Sequence, residues 1–171
     1  FDPAGRSVLD LGASTGGFTQ VLLERGAAHV MAVDVGHGQM AAGIAADPRV
    51  SLHEGVNARD LDATTLGGRT VDAIVCDVSF ISLRLALPPA LALAAPGAFA
   101  VLLVKPQFEA GRQAVGKGGL VEPGIAAKVA GELRDWLDGR PGWRVLGMVP
   151  SPIAGGDGNR EFLLGAVKDR G

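Results

Sequence analysis

Short apolar runs recur along the chain at 7–11, 29–34, 50–54, 71–76 and 98–104, with helix-like stretches between them. Val71 to Cys76 and Phe99 to Val104 are almost continuously apolar. That is the pattern of strands covered on both faces, not of a sheet with one wet side. Strand-length runs alternating with helix-length segments signal repeated strand–helix units around a parallel sheet. The helices are expected near 17–25, 38–46, 83–95 and 123–138. Beyond the last of these the pattern changes. Trp143 to Val149 and Arg160 to Val167 are two more strand candidates, joined by the turn-rich segment Pro150 to Asn159, in which no helix fits. An antiparallel pair is favoured over a parallel crossover. The expected class is α/β and doubly wound, with a mostly parallel seven-stranded sheet and one reversed strand near the C-terminus.

Composition narrows this picture. With 171 residues, 47% hydrophobic and 20% charged, the chain can bury one substantial core, so 1–171 is expected to be one domain. Its most apolar stretch, Leu83 to Val104, is interrupted by Pro88, Pro89, Pro96 and Gly97. It reads as a buried helix followed by a buried strand, and no membrane partner is expected. The single cysteine, Cys76, cannot form an internal disulfide, and no signal peptide precedes the first strand. A reducing, cytoplasmic setting is the expectation. The chain opens at Phe1 and enters strand-like sequence within a few residues, as an excised domain would. The formal net charge of -2 provides no general attraction to a phosphate backbone.

The candidate chemistry sits at strand ends. Asp10-Leu11-Gly12-Ala13-Ser14-Thr15-Gly16-Gly17-Phe18-Thr19 closes one strand and opens a helix, and ligands of open α/β sheets bind beyond the carboxyl ends of strands. Gly12 and Gly16 allow a tight turn and close backbone approach. Ser14 stands where G-x-G-x-x-G would have its second glycine, which weakens a dinucleotide reading. Asp34, ending the second apolar strand, can accept both hydroxyls of a ribose. Asp10 would repel a pyrophosphate but can help to hold the cationic methionine end of S-adenosylmethionine, directly or through water. Asp77 follows the fourth strand, Lys105 the fifth, and Glu161 begins the reversed strand, so topology brings the three to the edge that carries the glycine turn. Singly they can be a cap, a solvated ammonium and an edge charge. Together beside a cofactor site they read as reactive groups, with Lys105 contacting or deprotonating an attacking oxygen.

The segment Asp10 to Gln20 resembles the first motif of the FtsJ-like RNA ribose methyltransferases. Ala32-Val33-Asp34-Val35-Gly36, Cys76-Asp77-Val78-Ser79-Phe80-Ile81-Ser82-Leu83, Val104-Lys105-Pro106-Gln107-Phe108-Glu109 and Gly158-Asn159-Arg160-Glu161-Phe162 resemble the TlyA branch of that family, in order and through nearly the whole chain. The resemblance implies a Rossmann-like methyltransferase fold and S-adenosylmethionine as cofactor. It implies 2′-O-methylation of ribosomal RNA, at cytidine if the branch likeness carries that far. It also implies cofactor contacts from Asp10, Gly12, Ala13, Ser14, Thr15, Gly16, Gly17, Phe18, Asp34, Val35, Asn57, Ala58 and Asp77. Asp77, Lys105 and Glu161 fall on the last three members of the family's Lys-Asp-Lys-Glu tetrad. The first lysine precedes the first strand in the family and has no match here. Members of the branch also carry an N-terminal S4-type RNA-binding domain, so the attraction for ribosomal RNA or ribosomal subunits is expected to lie partly in sequence that this chain lacks.

Several residues keep two readings. Asn57 can face an adenine or form a surface turn, and Phe80 can flank a ligand or sit in the core. Arg112 and Lys117, in the glycine-rich connection Gln107 to Glu122, can meet phosphates or simply be solvated. His29, His37 and His53 have no metal-ligand spacing with Cys76 or one another, and no metal is expected. Cys76, Trp136 and Trp143 read as packing residues. A methyltransferase for a small molecule or protein, and a membrane-active haemolysin, are the competing functions. The first is disfavoured by the convergence of Asp77, Lys105 and Glu161, the second by the lack of a spanning or strongly basic amphipathic segment.

Overall fold

A computed structural model of the chain describes residues 1–152 and 156–170. Its elements in chain order are β1 (Ser7–Leu11), α1 (Gly17–Glu24), β2 (His29–Asp34), α2 (Ala42–Ala45), β3 (Val50–Glu54), β4 (Val71–Cys76), α3 (Leu83–Ala86), α4 (Pro88–Leu93), β5 (Ala94–Val104), α5 (Pro123–Asp138), β6 (Trp143–Pro150) and β7 (Phe162–Lys168). Ile153, Ala154 and Gly155, within the turn-rich segment before β7, lie outside the described residues.

The strands form one sheet in the order β3-β2-β1-β4-β5-β7-β6. β1 pairs in parallel with β2 and β4, β2 with β3, and β4 with β5, while β7 runs antiparallel to both β5 and β6. Seven strands with β7 alone reversed is the expected class.

Alternation along β1 explains the two layers. Leu9 and Leu11 face one core with Met31, Ile74, Leu102 and the buried side of α5, while Val8 faces the other with Leu22, Val30 and Phe99. Side chains one position apart point to opposite faces, so a strand buried on both sides has to be apolar throughout. In α5, Ala126, Ala130, Leu133 and Leu137 make the buried stripe. Glu122 starts that helix by accepting the backbone N–H groups of Gly124 and Ile125 at 2.9 and 3.1 Å, with Pro123 in the first turn, where no N–H is needed. Trp143 is buried at the start of β6, its indole donating to the Leu91 carbonyl at 3.3 Å.

Four boundaries differ from those expected. The helix of 83–95 is two helices, because Pro88 has no N–H to continue α3 and instead opens α4. Strand β5 starts at Ala94, not 98: Ala94 pairs with Val71, and a register shift before Phe99–Ala73 accommodates Pro96 and Gly97. The helix of 38–46 contracts to Ala42–Ala45, since Gly38 takes a positive φ of 66°. Strand β7 begins at Phe162, which leaves Arg160 and Glu161 in the loop before it. The connection Gln107 to Glu122 holds short turns at Arg112–Ala114 and Lys117–Gly119 and a Val115–Val121 bridge. Cys76 is buried in the core, as expected, and burial pushes its thiol far above the ordinary range.

Core and edge should separate in mutagenesis. Leu133→Ala, at a position 1% exposed, is expected to cost about 2–5 kcal/mol of unfolding free energy. Leu146→Ala, on the β6 edge and 52% exposed, should change it by less than about 0.5 kcal/mol. Denaturant midpoints of the two variants measure the contrast.

Candidate active site

The carboxyl ends of β1, β2, β4 and β5 and the loop entering β7 meet at one edge of the sheet. There the glycine turn is forced by close approach. A Cβ on Gly12 would lie 2.2 Å from the Asp77 carbonyl oxygen, and Gly12 has φ 77°. Ser14 and Gly16 also take positive φ, 50° and 100°. The N–H groups of Gly12 and Ala13 both donate to the Val33 carbonyl, at 2.8 and 3.1 Å, which ties the turn to the end of β2. Asp34 then organises two loops. One carboxylate oxygen accepts from Ser14 N at 2.8 Å, and the other from Gly36 N at 2.8 Å.

In front of this edge lies a cleft of about 1000 Å³. Gly12, Ser14, Asp34, Val35, Asn57, Ala58 and Asp77 line it. The other expected contacts stand back from it. Ala13 is 5% exposed, Gly16 is roofed by Ile44 and Met40, Thr15 and Gly17 lie along the turn away from the cleft, and Phe18 packs on the second core. Asn57 caps its own turn, its Oδ1 accepting from Arg59 N at 3.1 Å, while lining the cleft. Arg112 is on the cleft wall and Lys117 is not.

Asp10, expected at the cofactor, is wholly enclosed and does not line the cleft. Thr19 Oγ1 donates to its Oδ2 at 2.7 Å, and Oδ1 has no hydrogen-bond partner among the described residues. Burial raises the carboxyl from 3.8 to about 6; the Thr19 bond pulls it down, and the carboxylates of Asp77 and Asp34 push it up. An enclosed acid with an orphaned oxygen beside two other carboxylates is a site short of positive charge.

Above it, Lys105 Nζ meets Asp77 Oδ1 at 2.5 Å and donates to Ser79 Oγ at 2.9 Å. Asp77 Oδ1 accepts no well-aligned hydrogen bond from the described residues, so its bond to Lys105 is ionic in character. The Lys105 side chain is only 13% exposed. Burial lifts the Glu161 carboxyl above its ordinary range; the Lys105 charge and a Gln107 side-chain hydrogen bond lower it, and Asp77 raises it. The three residues that topology brings together therefore feel one another electrostatically.

Sequence reading passed over the groups that hold this cluster. Glu109 binds the loop after β5 to the start of α3, accepting from Ser82 Oγ at 2.5 Å and Leu83 N at 2.7 Å. Buried Asn159 donates to the Gly119 carbonyl and to Asp157 Oδ2, both at 2.8 Å, and accepts from Val121 N at 2.9 Å. Gln107 Nε2 reaches the same Asp157 oxygen at 3.3 Å. The signal that could have found them is position, since each lies within a few residues of Asp77, Lys105 or Glu161. Phe80 is not a core residue. It is 89% exposed, holds φ 64°, and meets Phe108 with ring centroids 5.0 Å apart. A left-handed backbone at a bulky residue costs on the order of 1–2 kcal/mol, and such strain concentrates at functional sites.

Fold and site together define a Rossmann-like methyltransferase domain. The chain belongs to the FtsJ-like methyltransferase family, which it matches over residues 1–168. It is 49% identical over 166 residues to the 16S/23S rRNA (cytidine-2′-O)-methyltransferase TlyA of Mycobacterium tuberculosis, a match that covers 94% of this chain and 60% of that protein. It is 40% identical over 157 residues to Hemolysin A of Brachyspira hyodysenteriae, covering 91% of this chain and 65% of that one. A provisionally named hemolysin from Lactococcus lactis, solved as a crystal structure, superimposes with a TM-score of 0.93 at 39% identity, over 99% of this chain and 81% of its own. The chain thus spans about three fifths of the length of the curated relatives it matches. No helix among the described residues is long and apolar enough to cross a membrane. No cluster of three or more His, Cys, Asp or Glu side chains among them could hold a metal ion.

The burial of Asp10 sets a pH dependence. Between pH 3.8 and about 6 the folded protein keeps a proton that the unfolded chain has released, so stability from this group falls as pH rises through that window and stays lost above it. Asp10→Asn is therefore expected to raise unfolding free energy by up to about 3 kcal/mol at pH 7.5, with the advantage fading toward pH 4. Parallel denaturant titrations of both proteins at the two pH values test this. A variant no more stable than the parent at pH 7.5 would contradict it.

Proposed function

We propose that this chain carries the catalytic part of an S-adenosylmethionine-dependent 2′-O-methyltransferase that acts on ribosomal RNA at cytidine ribose. The observation that carries the reading is the ion pair of Lys105 with Asp77, which lines the cleft together with Asp34, and the electrostatic coupling of Glu161 to both. A small-molecule or protein methyltransferase has no evident use for that arrangement. The names of the relatives favour an RNA ribose as acceptor.

The site fits the cofactor on its own chemistry. Asp34 offers a carboxylate to a ribose, and Asn57 and Ala58 line the wall expected to meet an adenine. The orphaned Oδ1 of Asp10 adds negative charge beneath the turn, which favours a cationic ligand. When bound, S-adenosylmethionine supplies an electrophilic methyl group on a cationic sulfur. Asp77 holds Lys105 by ion pairing, and Lys105 Nζ contacts or deprotonates the attacking ribose oxygen as the new bond forms. Glu161, less acidic than an ordinary carboxyl, limits the local excess of negative charge and steers the same ammonium. The exposed Phe80 is suited to flank the target nucleoside, and Arg112 on the cleft wall to meet a phosphate.

With a net charge of -2, attraction for RNA requires help. An N-terminal S4-type domain, together with the first lysine of the tetrad, is part of the proposal. Transfer of labelled methyl groups to ribosomal subunits should be weak with this chain and strong with an N-terminally extended form. Lys105→Ala in the extended form should lower turnover by about 10²–10⁴-fold. Equal turnover with and without the extension would remove the need for the second domain, and label on base atoms would refute the reaction.

A further inference from the structure

We infer that Ser79 is a positioning residue that aims the Lys105 ammonium. The inference rests on the proposed reaction for its purpose, but on the geometry alone for the contact. An ammonium has three N–H directions and a four-carbon stem with much rotational freedom. In this site one N–H is donated to Ser79 Oγ at 2.9 Å, while Asp77 Oδ1 holds the charge at 2.5 Å without an aligned hydrogen bond. With the charge held by Asp77, the one directed bond to Ser79 sets how the ammonium is turned. Asp77 alone would anchor the charge yet leave the nitrogen free to swing about that anchor.

The loop conformation is consistent with such a task. Ser79 sits two residues past Asp77 and directly before Phe80, whose φ of 64° reverses the chain. That reversal lets Ser79 face Lys105 while Phe80 projects outward. Ser79 has no competing role in starting a helix, because Ser82 caps α3. Its oxygen accepts from Lys105, so its own O–H is free of that bond and lies on the cleft wall, where it can donate to an incoming oxygen. The loop opposite is clamped by Glu109 to Ser82 and Leu83, which keeps the serine and the lysine in register.

The bland alternative is an incidental contact between a loop serine and a nearby lysine. It predicts that water replaces the hydroxyl at no cost to aim. Ser79→Ala and Ser79→Thr distinguish the two, in the chain and in its N-terminally extended form. The first readout needs no catalysis: trace acylation of lysine amines at fixed pH, followed by mass spectrometry. Lys105 should label about three- to tenfold faster in Ser79→Ala than in the parent, as a charge-assisted hydrogen bond is lost. Lys128 and Lys168 should be unchanged, and Ser79→Thr should label like the parent. Unchanged Lys105 labelling in Ser79→Ala would overturn the inference.

The second readout is methyl transfer to ribosomal subunits. Ser79→Ala should lower kcat about tenfold with KM for the RNA within about twofold, and Ser79→Thr should recover most of the rate, since only transition-state aim is lost. A loss carried by KM, or no recovery with threonine, would overturn the positioning role. If the extended parent transfers no methyl group at all, the proposed reaction fails, while the labelling result still decides whether Ser79 holds Lys105.

Discussion

The backbone of Gly12 passes the carbonyl of Asp77 with no room for a side chain between them. Much of the active edge depends on that approach. It joins the end of β1 to the residue after β4, and through the Val33 carbonyl it fixes both to the end of β2. Asp34 is thereby set against the glycine turn, and Asp77 is set where β5 delivers Lys105. A methyl group at position 12 would wedge β1 and β4 apart at their carboxyl ends. The cleft wall at Asp34 and the Lys105–Asp77 pair would then be displaced together, because they share this contact.

Charge is the second organising quantity. Asp34 and Asp77, at the ends of β2 and β4, line the cleft, Asp10 lies buried near the end of β1, and Lys105 pairs with only Asp77. Asp10 answers by holding its proton up to about pH 6. A positively charged ligand in the cleft would relieve that imbalance, so the protein is poised to gain more from binding a cation than from binding a phosphate.

Much of this was legible in the sequence because strand alternation and apolar runs are set locally. Seven strands, the reversal of β7 and the meeting of Asp77, Lys105 and Glu161 follow from pattern and topology. The misplaced boundaries have local causes. Pro88 lies inside the helix expected at 83–95 but starts a second helix, and β5 reaches back past Pro96 and Gly97 to Ala94 through a register shift. Ser79, Gln107 and Glu109 stayed hidden for a different reason. Where a loop side chain points depends on the backbone angles beside it, and the left-handed Phe80 that turns Ser79 toward Lys105 leaves no trace in composition or spacing. The enclosure of Asp10 was likewise invisible, since a strand-end carboxylate reads the same whether its oxygen reaches solvent or not.

The placement of the two indoles bears on how this molecule can be observed. Trp143 is sealed against Leu91 at the start of β6, and Trp136 lies on α5 with the Arg140 guanidinium over its ring. Neither lines the cleft, and the chain has no tyrosine. Intrinsic fluorescence therefore reports on the flank built by α5 and β6 and is nearly blind to the glycine turn. Emission can follow unfolding of that flank without interference from a ligand in the cleft, whereas optical detection of the cleft itself calls for a reporter introduced near Phe80.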